Sequence, residues 1–132
     1  MKPEVRNAFD RQLERVLREL PQQVRDFMNQ VPLVVEDYPS LEVMRSAGVR
    51  DRSALCGIYR GIPLAERPFE IHQSGVPSPV IHIFRQGILS LSRGPAGIDV
   101  DKLREQIRVT ILHEYGHHVG LTEDELDELG YE

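Results

Sequence analysis

The sequence predicts an α+β fold, a small mixed sheet packed with helices in one domain spanning 1–132. Three observations carry that expectation. Apolar residues recur at helical spacing near both ends of the chain. The middle of the chain holds short β-branched runs punctuated by Pro and Gly. The longest helical stretch, late in the chain, leads into two histidines four residues apart, then a glycine and an acidic run. A length of 132 residues is enough for one core but not for two.

The elements follow in order. Val5, Phe9, Leu13, Val16, Leu17 and Leu20 mark one face of a helix over about 3–20. Pro3 suits its first turn, where an N–H has no intrahelical partner to lose. Pro21 breaks this helix and opens a shorter one that buries Val24, Phe27 and Met28. Residues 31–38 read as a strand that stops at Tyr38-Pro39-Ser40, with Glu36 and Asp37 as solvated charges at its end. Over 41–53, Leu41, Met44 and Arg45 mark a short helical turn that Gly48 interrupts. Residues 55–60 form a strand, followed by a turn at Gly61 and Pro63. Pro68, Gly75, Pro77 and Pro79 make most of 67–79 a loop, with a short strand available at 69–72. Residues 79–85 read as an edge strand; Gly87 permits a bend, and 88–91 continue the sheet. Residues 93–97 are a loop. Asp99 caps a long helix from near Val100 to about Val119. Gly120 is its left-handed terminator, and Leu121 folds back on it. Thr122 and Glu125 make a capping-box pair for a last short helix through Leu129.

The long helix carries the chemistry. Leu103, Ile107 and Ile111 give it an apolar row at i, i+4 and i+8. Residues 113–117 then read His-Glu-Tyr-Gly-His, the H-E-x-x-H pattern of zinc peptidases. Positions four apart share a helix face, so His113 and His117 can offer two imidazole nitrogens to one metal. Glu114 stands beside them, placed to take a proton from a water at that metal as a general base. With 5 His and 13 Glu in the chain, the pattern arises by chance in about one such chain in fifty. Gly120 turns the chain back, which brings the acidic run 123–125 toward the metal. Adjacent helical side chains diverge by about 100°, so Glu123 and Asp124 cannot both reach one ion. Glu123 is favoured as the third ligand for its longer side chain, which can compensate for a more distant backbone. Against either stands the ordinary preference for acidic residues in a first helical turn.

The string HEYGHHVGLTEDEL at 113–126 resembles an extended zincin motif, H-E-x-x-H-x-x-G-x-x-E. It is most similar to the minimal zincin-like metallopeptidases, small and mostly bacterial proteins that share H-E-x-x-H-H-x-G with an acidic third position, commonly Asp. VEDYP at 35–39, LCGIYRGIPL at 55–64 and IHIFRQGI at 81–88 resemble the same family, so the likeness covers nearly the whole chain. The resemblance implies a compact zincin-like fold with its metal site on a long helix and the following turn. It also implies Zn²⁺ as cofactor, with His113, His117 and Glu123 as metal ligands and Glu114 as catalytic residue. The chain departs from the related metzincins in two ways. Met1, Met28 and Met44 all precede the motif, so no Met-turn follows it. Only a dozen residues follow Gly120, so the cleft is expected to be shallow or completed by another copy or a partner.

The expected function is therefore a zinc-dependent hydrolase, a metallopeptidase acting on a peptide or protein, with 79–85 as a platform for an extended substrate. The alternative is a noncatalytic, metal-dependent protein-binding module on the same scaffold. Other histidines read differently: His118 supports the site or lies at the surface, and His72 and His82 are structural. Tyr115 and Tyr131 are packing residues with a hydroxyl that can donate to an oxyanion. Cys56, the only cysteine, is read as buried in a strand and excludes an intrachain disulfide, which suits a cytoplasmic protein. The net charge of −5 and dispersed basic residues, all but two of them arginine, argue against nucleic acid as a partner. The N-terminal stretch has no apolar core of a signal peptide, and no apolar run approaches a membrane span.

Overall fold

The computed structural model describes residues 1–62 and 78–131 of the chain. In order the elements are α1 (Pro3–Glu19), α2 (Gln22–Phe27), β1 (Leu33–Glu36), α3 (Leu41–Ala47), β2 (Gly57–Arg60) and β3 (Val80–Phe84). Then follow α4 (Arg85–Ser90), β4 (Arg93–Gly94), β5 (Gly97–Ile98), α5 (Val100–Val119) and α6 (Glu123–Glu128). The fold is α+β, with a small mixed sheet of order β1-β3-β2. β1 runs parallel to β3, with Leu33 opposite Ile81, and β2 runs antiparallel to it, with Gly57 opposite Ile83. Pro63 of the expected turn, most of the loop over 67–79, the short strand at 69–72 and His72 lie outside the described residues.

α5 holds the molecule together. It packs against α1, α2, α4, β2 and β3. Its row Leu103, Ile107, Ile111 and Tyr115 is buried against Phe9, Leu13 and Val16 of α1 and Ile81 and Ile83 of β3. The next row around the helix, Thr110, Glu114 and His118, is polar yet also buried. Two adjacent strips of one helix are thus largely covered, one apolar and one polar. The buried strip extends the apolar spacing that predicted the helix. Asp99 caps the helix, its carboxylate accepting from the Asp101 and Lys102 N–H groups.

The structure corrects several sequence expectations. The strand at 79–85 is central, not an edge, so it offers no free edge for a substrate. His82, expected to be structural, is paired with Glu36 Oε1 at 2.6 Å. Residues 88–91 do not continue the sheet; they lie in and just beyond α4. Gly87 is not a bend but a contact point: a Cβ there would overlap the Leu55 carbonyl that passes over the helix. Residues 93–97 form a small hairpin, β4 pairing with β5. Val5 stays exposed, and Val24, Phe27 and Met28 are only partly covered. Asp37 is not a free strand-end charge: its half-buried carboxylate accepts from Arg6 Nε at 2.8 Å and Arg85 Nη1 at 3.0 Å. Arg85 also reaches Asp10, so this cluster ties α1, the end of β1 and α4 together. No helix among the described residues is long and apolar enough to cross a membrane.

Candidate metal centre and cleft

Two turns of local structure build the site. The first is the end of α5, where i, i+4 spacing points the His113 and His117 rings the same way, their Nε2 atoms 3.1 Å apart. The second is the reversal at Gly120, which adopts φ 95° and ends the helix. Thr122 and Glu125 then cap α6 reciprocally, each bond at 3.2 Å, which places Glu123 in its first turn. Glu123 Oε1 lies 2.9 Å from His117 Nε2, and Oε2 lies 3.4 Å from His113 Nε2.

These three side chains could hold a metal ion, each offering one donor atom within 4.8 Å of the others. The donor set fits zinc. Two nitrogens on a tetrahedral zinc at ~2.05 Å stand about 3.3 Å apart, close to the spacings seen here. The His113 imidazole is also oriented for it. His113 Nδ1 meets the Tyr131 carbonyl, which can only accept, so Nδ1 carries the proton and Nε2 keeps its lone pair in the neutral ring. Asp124 is exposed and is not part of this group.

Glu114 lies at the floor of the same cleft. The space is about 490 Å³ and is lined by His113, Glu114, His117 and Glu123 on one side and by Gly57, Ile58 and Tyr59 of β2 on the other. Glu114 is 8% exposed. Burial is the main cause that pushes its carboxyl up to about 7; Glu123 adds to the rise, while His113 and a bond from the Tyr59 backbone N–H oppose it. β2 can lie this close because residue 57 is glycine: a Cβ there would come within 2.9 Å of Thr110 Cγ2 and 3.3 Å of Glu114 Cγ.

The family model of zincin-like metallopeptidases matches residues 28–131. The chain belongs to this family. No curated protein matches the chain. Membership in the zincin-like metallopeptidases points to zinc-dependent hydrolysis, to zinc as the metal and to a peptide or protein as substrate.

The other candidates divide. His118 is not at the surface: it is 1% exposed, with Nδ1 2.8 Å from the Tyr59 hydroxyl. Tyr115 donates its hydroxyl to the Val31 carbonyl at 2.8 Å, so it packs and does not face the cleft. Tyr131 contributes a backbone carbonyl rather than a hydroxyl. Cys56 precedes β2, half-buried, and burial pushes its thiol up to about 11, with Glu114 adding to the rise. Cys56 is not part of the group of side chains that could hold the metal. Sequence reasoning missed Tyr59 and the Tyr131 carbonyl. Backbone donors and acceptors act through their position, which no residue type announces.

Proposed function

We propose that this protein is a zinc metallopeptidase in which His113, His117 and Glu123 hold the metal and Glu114 is the catalytic base. The observation that carries the reading is Glu114: a buried carboxylate at the floor of the cleft that the three donor side chains share. A site built only to hold an ion has no use for it, and burial there costs the fold. Bound zinc would supply a Lewis acid for the scissile carbonyl and make water more acidic. Glu114 takes the proton of the attacking water and passes it to the leaving amine, a role suited to a carboxyl raised to about 7. The Tyr59 N–H steadies the carboxylate in its charged form. The platform for an extended peptide is β2 rather than β3: β2 lines the cleft and, among the described residues, pairs on one side only. The lone, poorly ionised Cys56 suits a cytoplasmic setting.

The test is Glu114→Gln assayed on unstructured peptides with zinc supplied. The substitution keeps the shape of the side chain and removes the base. Cleavage should fall by about 10²-fold or more while zinc stays bound. Wild-type cleavage by this variant would overturn the role of Glu114; zinc binding without cleavage by the wild-type chain would favour the binding-module alternative.

A further inference from the structure

One short stretch of chain supplies two separate parts of the site. Residues 121–131 carry Glu123, and they also carry the Tyr131 carbonyl that orients His113. α6 is six residues long, too short to persist without support. Leu126 is its one buried residue, and it is fully buried. Leu126 rests against Gly116, where a Cβ would overlap its Cδ2. The Leu121 N–H bonds the Gly116 carbonyl at 2.9 Å, and the Tyr131 N–H bonds the Leu126 carbonyl at 2.9 Å. Gly116 thus receives both the start and the middle of the segment, and Leu126 holds its end.

We propose that residues 121–131 form a clasp that seats on α5 as one piece, with Leu126 over Gly116 as the anchor that positions Glu123 and the Tyr131 carbonyl together. The proposal rests on the metal-site reading above. Gly116 and Leu126 are positioning residues, since neither offers a donor atom to the ion. An ion held by His113, His117 and Glu123 binds only the seated form and so stabilises it. By the same linkage, loosening the seat lowers zinc affinity in proportion to the seated fraction that is lost.

The test measures zinc affinity by competition with a chromophoric chelator, and amide hydrogen exchange with and without zinc. Gly116→Ala should weaken zinc binding by about ten-fold or more while far-UV circular dichroism shows a folded chain. Gly116→Ala/Leu126→Ala should bind zinc more tightly than Gly116→Ala, because the shorter side chain relieves the overlap. In the wild-type chain, zinc should slow exchange at the Leu126 and Tyr131 amides. Zinc binding that leaves those amides unchanged would overturn the clasp, as would wild-type zinc affinity in a folded Gly116→Ala. If Gly116→Ala does not fold, the wild-type exchange result decides alone. A wild-type chain that binds no zinc would overturn the metal site itself and the clasp with it.

Discussion

Glu123 and Asp124 are adjacent, yet only Glu123 stands with the two histidines. The difference is angular: one step along α6 swings a side chain by about 100°. Glu123→Ala should therefore weaken zinc binding strongly and Asp124→Ala little, as competition titrations would show; the reverse order would move the third ligand to Asp124. Asp37 tests a different part of the chain. The hydrogen bond from Arg6 leads the causes that hold its carboxyl below the ordinary 3.8, helped by Arg85. A depressed carboxylate stabilises the fold above its unfolded pKa, and the gain is lost as pH falls through the folded one. Asp37→Asn should thus lower the urea midpoint at pH 6, and the gap to wild type should close below pH 3.8. A gap constant with pH would contradict this. The histidine pair and Glu114 were legible in the sequence because spacing alone fixes their helix face. The pairing of Asp37 and the burial of His118 were not, because they depend on partners 31 and 59 residues away.

At the scale of elements, α5, its Asp99 cap, the Gly120 reversal and the Thr122–Glu125 capping box all follow from local rules, and all were readable in advance. α4 was not. Its buried residues Gly87, Ile88 and Leu89 are consecutive, and a short buried run has no period to separate helix from strand. The position of β3 was hidden for a related reason: sheet order is a property of three strands together, and none announces its neighbours. Gly87 now carries a sharp expectation. Alanine usually stabilises a helix relative to glycine. Here a Cβ would strike the Leu55 backbone, which cannot move aside as a flexible side chain would. Gly87→Ala should therefore lower the thermal midpoint despite its better helix propensity. A higher midpoint would show that the approach of the 55–56 backbone is not what demands glycine.

Across the whole molecule, fold and site compete for the same helix. α5 buries an apolar row that binds α1, β3 and α4, and beside it a row with Glu114 that costs stability. The carboxyl raised to about 7 shows the direction: the folded state disfavours its charge, so ionised Glu114 lowers stability as pH rises above the ordinary 4.5. Glu114→Gln should therefore raise the thermal midpoint of the metal-free chain at pH 8 even as it removes cleavage. A lower midpoint would mean that the carboxylate is needed by the fold. The central claim is that His113 and His117 hold one zinc per chain, and direct titration of the metal-free chain with zinc tests it. One tight equivalent in the wild type, absent from His113→Ala/His117→Ala, is the predicted result. Stoichiometric zinc in that double variant would contradict it.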